Sequence, residues 1–375
     1  MQQAIFAAAG LTGLSLLVYL AYIIRFGVAL RRKDEPGNNE KPFVSVVIAA
    51  RNEEAALPML LTTLVNQSYS QGMFEVIVAD DDSTDNTAAV VRQFSARWPN
   101  VRLVSVTGRD KAVSPKKNAL AQAVDVGSGS IILTTDADCM VGRHWIRSMV
   151  AYFEPDVAMV VGYSRTMLPD WRRATLAQKF EHFDFFAMFA AAAGAVAAGK
   201  PFSCSGQNLG YRRSAYDKVG GYQRIAHILS GDDVNLMQLM RHTGQRVRFA
   251  NSHHAFASTR SVAGWRELLN QRARWASNFR WQATLNTEFF LYLCAVGLLQ
   301  LGLVATLILQ WRLGLAFVAA KLLAEWAFLV RSSKRFSFER ERLRFFPVWF
   351  VLQVPYLWLV GALGQFNIFS WHGRR

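Results

Sequence analysis

Four apolar stretches, each close to the length that crosses a lipid bilayer, limit what this chain can become. The first, Ala4 to Ile24, is uncharged; Phe289 to Gln310, Leu313 to Val330 and Phe346 to Gly364 follow near the C-terminus. Crossing the hydrocarbon layer takes about 20 helical residues, so each stretch is read as a transmembrane helix. The first is too long for a signal-peptide core and lacks a basic leader and a small-residue cleavage site, so it is read as an uncleaved anchor. Lys321 and Glu325 fall inside the third stretch at i,i+4 spacing. An isolated charge is costly in hydrocarbon, so the pair is expected to face a neighbouring helix or to snorkel.

Basic residues give the orientation. Arg25, Arg31, Arg32 and Lys33 follow the first stretch, and Arg331, Lys334, Arg335, Arg340, Arg342 and Arg344 follow the third. The positive-inside rule then predicts a multi-pass protein of the inner or plasma membrane, its central region on the cytoplasmic side. The formal net charge of +15 is accounted for by this orientation and by attraction to anionic lipid, and no nucleic-acid partner is read from it. Four crossings put His372, Arg374 and Arg375 on the far side against that rule, unless the last stretch lies in the interface. Cys139, Cys204 and Cys294 are odd in number and far apart, which suits reduced structural thiols.

The expected organisation is an anchor with its basic flank (1–33), a polar linker (34–41), an α/β domain (42–261), an interfacial amphipathic helix (262–288) and a C-terminal transmembrane region (289–375). Within the α/β domain, strands are expected at Phe43–Ala49, Phe74–Ala79, Val101–Val106, Ser130–Thr135 and Val157–Gly162. Helices are expected at Ala55–Asn66, Thr84–Ala96, Lys116–Val126 and Arg143–Phe153. Such alternation predicts a mostly parallel, Rossmann-like sheet with helices on both faces, whose ligands bind at the carboxyl ends of the strands. The run Phe183 to Ala198 is apolar except for Asp184. Crossing a membrane there would separate Asp138 from Asp233, so it is read as a helix that covers a cleft or rests on the membrane surface.

Acidic residues gather at the predicted strand ends. Asp136-Ala137-Asp138 follows the apolar run Ile131-Ile132-Leu133. Two carboxylates there suit a hard divalent cation, Mg²⁺ or Mn²⁺, able to neutralise charge on a departing nucleotide diphosphate. In Val78-Ala79-Asp80-Asp81-Asp82-Ser83, one residue suffices to cap the next helix. Three successive carboxylates call for a ligand or donors to offset their repulsion, and their oxygens suit a base or ribose. Ser230-Gly231-Asp232-Asp233 has capping-box spacing, and a carboxylate held at a helix start also suits a general base. Gln271-Arg272-Ala273-Arg274-Trp275 lies in a stretch mixing tryptophans and arginines, as interfacial helices do. His253 and His254 are expected to be packed or solvated, although either is within reach of a metal in principle.

Together, the acidic loop, Asp-x-Asp, the acidic pair and Gln-x-x-Arg-Trp resemble, in that order, the family 2 inverting glycosyltransferases of GT-A fold. The likeness is to their membrane-bound branch, which includes polysaccharide synthases and ceramide glucosyltransferase, and it covers roughly residues 42 to 285. It implies a GT-A domain accompanied by about four transmembrane helices. The implied ligands are a nucleotide-sugar donor (a UDP-sugar first, GDP also open), a lipid-linked or saccharide acceptor, and Mg²⁺ or Mn²⁺. Carried over by position, Ala50, Asn52, Glu53, Asp80 and Asp81 bind the nucleoside, and Lys117 approaches the diphosphate. Asp136 and Asp138 serve donor and metal, Asp138 more directly. Asp233, paired with Asp232, is the base. Gly206 and Asn208 belong to an acceptor loop, Ser203 to Asn208, and Gln271, Arg274 and Trp275 close over diphosphate and acceptor. Two positions depart from the family pattern: Asp82 stands where glycine is usual, and Asp232 where glutamate is usual.

The preferred reading is transfer of a sugar to a lipid or lipid-linked acceptor. A processive polysaccharide synthase is the first alternative, for which three C-terminal spans are few. A non-catalytic scaffold usually loses an acid from the metal or base motif, whereas Asp136, Asp138 and Asp233 are all present. A nucleotidyltransferase leaves Gln271 to Trp275 and the spans unexplained.

Overall fold

The computed structural model describes residues 2–32, 35–108, 113–168 and 170–370. Lys33, Asp34, His372, Arg374 and Arg375, used above for orientation and linker, lie outside the described residues. In chain order the elements begin with α1 (Gln2–Ala29), β1 (Val44–Ala50), α2 (Leu57–Val65), β2 (Phe74–Asp80), α3 (Thr87–Ser95) and β3 (Val101–Ser105). They continue with α4 (Pro115–Val126), β4 (Ile131–Thr134), β5 (Cys139–Val141), α5 (Trp145–Val150), β6 (Val157–Gly162), β7 (Ser164–Met167) and α6 (Leu176–Ala197). Next come β8 (Leu209–Arg212), α7 (Arg213–Lys218), α8 (Val234–Arg241), β9 (Arg246–Ala250), β10 (Ala257–Arg260) and α9 (Trp265–Ala276). The chain closes with α10 (Gln282–Leu285), α11 (Thr287–Leu309), α12 (Trp311–Arg335) and α13 (Phe346–Gln365).

These elements form two compact units: residues 33–170 with 199–261, and residues 1–32 with 171–198 and 262–375. The first is the expected α/β domain. Its seven-stranded sheet runs β3-β2-β1-β4-β8-β6-β9. β1 pairs parallel with β2 and β4, and β2 with β3, while β8 runs antiparallel between β4 and β6. Val44, Val46 and Ile48 of β1 are wholly buried beneath Leu57, Leu60 and Leu64 of α2 and Trp145 of α5, and Val47, on the opposite face, is wholly buried as well. Strands covered on both faces read as continuous apolar runs, which is why they stood out in the sequence. The antiparallel β8 and a second sheet, β5-β10-β7, were not anticipated. Register puts Ala50 opposite Asp80 and Thr259 opposite Cys139, so the acidic segments emerge at one edge.

The second unit is helical. Among the described residues, five helices are long and apolar enough to cross a membrane: Phe6–Ala29, α6, α11, α12 and Arg342–Gln365. The four stretches anticipated from sequence are among them, and α6 is the fifth. Only 22–33% of the apolar window is buried in those four, against 78% in α6. The four leave residues such as Leu14, Leu17, Leu298, Ile308, Leu323 and Val351 exposed, an apolar surface of the kind that lipid or a partner covers. Residues 171–198, inside the span 42–261 expected for the α/β domain, cluster with the helices, because apolar α6 packs on α1 and α13. Lys321 and Glu325 are buried and face neighbours. Lys321 Nζ donates to Glu325 Oε1 at 2.7 Å and to Gln353 Oε1 at 3.0 Å, and the Tyr19 hydroxyl donates to Glu325 Oε1 at 2.5 Å.

Candidate active site

The loops after β1 and β2 are laced together by side chains that accept backbone N–H groups. Asn52 N–H donates to Ser83 Oγ at 2.9 Å, and Thr84 N–H donates to Asn52 Oδ1 at 2.8 Å. Glu53 N–H donates to Thr87 Oγ1 at 2.8 Å, and Asn86 N–H donates to Glu54 Oε2 at 2.9 Å. Asp80 Oδ1 accepts from Ser83 Oγ at 2.5 Å, so Ser83 braces the acidic loop instead of capping α3. Asp81 is buried, with its N–H on the Ala50 carbonyl at 2.9 Å and Arg51 Nη1 3.6 Å from its carboxylate. Asp82, where the family pattern has glycine, has φ 58°, and Asn52 has φ 55°. Asp and Asn tolerate this left-handed conformation better than other residues with a β-carbon.

Beyond β4 the second acidic group appears. Asp138 is half-buried; its Oδ2 accepts from Thr259 Oγ1 at 3.2 Å. Burial and the nearby Asp136 carboxylate raise its pKa. Burial, followed by the charges of Asp138, Asp136 and Asp85, pushes Glu53 up to about 7. Glu53 after β1 and Asp136 and Asp138 after β4 thus face one region, where burial and like charge make Glu53 and Asp138 less acidic.

One cation ties this cluster to the third. Lys116 Nζ lies 2.8 Å from Asp136 Oδ1 and 3.1 Å from Asp232 Oδ2. Burial alone would lower its pKa, but Asp136 and Asp232 hold it well above the usual lysine value. Asp233 is the N-cap of α8. Its Oδ1 accepts from Val234 N–H at 2.6 Å and its Oδ2 from Gly206 N–H at 2.8 Å. Ser230 therefore does not start a capping box; Asp233 caps the helix itself. Partial removal from water and the like charge of Asp232 raise the Asp233 pKa to about 6, suited to a group that must take up a proton near neutrality.

The α/β unit therefore gathers Glu53, Asp136, Asp138, Asp232, Asp233 and Gly206 around Lys116, the residue the sequence reading missed. Its neighbour Lys117, expected near a diphosphate, is buried with Nζ committed to the Ile228 and Ser230 carbonyls. Burial lowers its pKa to about 8. Asn208 is also fully buried, accepting from Trp145 Nε1 at 2.9 Å and donating to the Tyr163 and Ala255 carbonyls at 2.9 and 2.7 Å. It pins the loop before β8 from behind. Gln271, Arg274 and Trp275 belong to the helical unit, and Arg272, between them, is buried there beside Asp184. His253 and His254 are exposed.

Among the described residues, no group of three or more His, Cys, Asp or Glu side chains is arranged to hold a metal ion. Asp136 and Asp138 do supply the hard oxygen donors that Mg²⁺ or Mn²⁺ prefers, and a cation there offsets the repulsion between like charges.

The model of the family described as glycosyl transferase family 21 matches residues 10–375. The motif resemblance was to family 2; what the match carries of that expectation is a glycosyltransferase of GT-A type. A probable glycosyltransferase YdaM of Bacillus subtilis is 28% identical over 240 residues, covering 63% of this chain and 55% of the relative. A beta-monoglucosyldiacylglycerol synthase of Nostoc sp. is 33% identical over 113 residues, covering 30% of this chain and 24% of the relative. The chain thus spans about half the length, or less, of these two curated relatives. In structure it is similar to the mannosyltransferase PcManGT from Pyrobaculum calidifontis in complex with GDP-Man and Mn²⁺. That likeness has a TM-score of 0.64 at 20% identity, over 98% of this chain and 99% of that one, and it shows the fold to be GT-A. With nearly its whole length under one family model, the chain belongs to glycosyl transferase family 21.

Proposed function

We propose that this protein transfers a sugar from a nucleotide-sugar to a lipid or lipid-linked acceptor at the cytoplasmic face of a membrane, inverting the anomeric configuration. The observation that carries the reading is the double contact of Lys116 with Asp136 and Asp232, which puts the Asp-x-Asp motif and the acidic pair on one cation. In this reading Asn52, Glu53, Asp80 and Asp81 hold the nucleoside at the carboxyl ends of β1 and β2. Lys116 turns from the carboxylates toward the donor diphosphate. Asp233, fixed by two backbone N–H groups, takes the proton of the acceptor hydroxyl as that oxygen attacks the anomeric carbon from the face opposite the leaving group. Gln271, Arg274 and Trp275 serve the diphosphate and acceptor, as the motif resemblance implies.

Asp138 and Asp136 are the residues that would hold Mg²⁺ or Mn²⁺. When bound, such an ion neutralises charge on the leaving diphosphate. The Mn²⁺ and GDP-Man of the mannosyltransferase complex are in keeping with this, as is the carboxylate cluster. The lipid acceptor is supported by the five apolar helices and by the diacylglycerol named for the Nostoc relative.

Product analysis tests the proposal. Protein in native lipid, given a labelled nucleotide-sugar and a membrane-lipid extract, should yield a lipid product bearing one sugar of inverted configuration. A ladder of polymer products would replace this reading with that of a processive synthase.

A further inference from the structure

Asp184 and Arg272 form a buried ion pair for which helix packing alone gives no reason. Arg272 Nη2 lies 3.4 Å from Asp184 Oδ2, and both side chains are almost completely buried. Trp349 Nε1 donates to Asp184 Oδ1 at 3.3 Å, and the Tyr356 hydroxyl donates to Oδ2 at 3.4 Å. Arg272 Nε donates to the Tyr356 oxygen at 3.1 Å, while Nη1 and Nη2 meet no hydrogen-bond acceptor. The guanidinium instead lies over two rings, its carbon 4.7 Å from the centre of Phe185 and 4.1 Å from the centre of Trp275. The Phe185 and Trp275 ring centres are 6.1 Å apart.

Well-packed apolar residues generally replace a buried ion pair at no loss of stability. A desolvated cation over a ring, by contrast, sets the orientation of that ring. We propose that Asp184 and Arg272 are positioning residues that fix the Trp275 indole. Asp184 on α6 holds the guanidinium, and the guanidinium holds a ring one turn along α9. This rests on the reading of Trp275 as a residue serving the acceptor. It gives the one acid in the apolar run from Phe183 a task, and it explains why Arg272 is buried while Trp275 is only partly covered.

The test uses the full chain in lipid nanodiscs, labelled with 5-fluorotryptophan, the Trp275 resonance being assigned by its loss in Trp275→Phe. Arg272→Met alone leaves Asp184 unpaired and can fail to fold, so the decisive variant is Asp184→Asn with Arg272→Met. It should keep the parental donor affinity and melt within about 3 °C of the parent, as neutral replacement of a buried pair allows. Its Trp275 resonance should shift, and kcat should fall about 10²-fold, the scale of a small misplacement at a reacting centre. Arg272→Lys, which keeps the charge without the planar stack, should lie between the two. An unshifted resonance or a parental kcat in the double variant overturns the proposal. If the parent itself transfers no sugar, the reading of function fails, and the resonance alone decides the positioning role.

Discussion

The backbone N–H of Gly206 donates to Asp233 Oδ2 at 2.8 Å, so the loop before β8 and the start of α8 hold one carboxylate between them. A β-carbon on Gly206 would stand 3.1 Å from Asp232 Oδ2 and 3.7 Å from Lys116 Nζ. Gly206→Ala therefore displaces the acidic pair by a few tenths of an ångström. Turnover should fall about tenfold while the thermal midpoint stays near that of the parent. A parental kcat would show that this loop does not set the position of the base.

A base has to be ionised to accept a proton, and Asp233 is raised to about 6 by partial burial and Asp232. Below that pH the carboxyl is protonated and inactive; above it the carboxylate is present. Turnover at saturating donor should therefore climb through about pH 6 and level off above it. Asp233→Asn should lower kcat by ~10² to 10⁴ with donor affinity retained. A flat profile in the parent, or full turnover in the variant, contradicts the assignment.

The two adjacent lysines should separate cleanly. Lys116→Met leaves Asp136 and Asp232 without their shared cation and should raise the donor Kd about tenfold, since like charges then face the diphosphate. Lys117→Met removes the ammonium donor from the Ile228 carbonyl and leaves the Ser230 carbonyl only the Asn235 amide, and should cost about 1–3 kcal/mol of stability, with donor affinity unchanged. Isothermal titration and thermal unfolding of both variants check the division, and the opposite pattern would restore Lys117 to the site.

Within the helical unit, Glu325→Leu takes the counter-charge from the buried Lys321 ammonium and leaves it the neutral Gln353 oxygen. That should destabilise the protein by about 3–5 kcal/mol, and Lys321→Met with Glu325→Leu should recover most of the loss. Unfolding in detergent by a fluorescence melt reads both. Equal stability of the single and double variants would mean that Lys321 finds other partners.

Much of the α/β unit was legible because parallel strands buried on both faces spell continuous apolar runs, with acids following β1, β2 and β4. β1 to β4 and β6 lie within a residue of the expected spans, as does α4; α2 begins at Leu57, two residues beyond its expected start, and α3 at Thr87, three beyond its own, because Asp85 ties up the Thr87 N–H and hydroxyl. β8 was not legible: Leu209–Arg212 is four residues with a central glycine, and its place between β4 and β6 is a non-local pairing. The short strands β5, β7 and β10 carry no usable periodicity. Within the site, adjacent lysines differ by about 100° around a helix, and only the fold decides that Lys116 turns to the acids and Lys117 to the carbonyls. Asp184 and Arg272 were visible separately, yet nothing in the sequence paired them.

Release of nucleotide diphosphate by the purified protein in native lipid, with Mn²⁺ or Mg²⁺ and a panel of nucleotide-sugars, tests the central claim most directly. The account predicts release from one donor, stimulated by membrane-lipid extract and lost in Asp138→Ala. A folded protein that binds nucleotide yet releases diphosphate from no donor, with or without lipid, would contradict it.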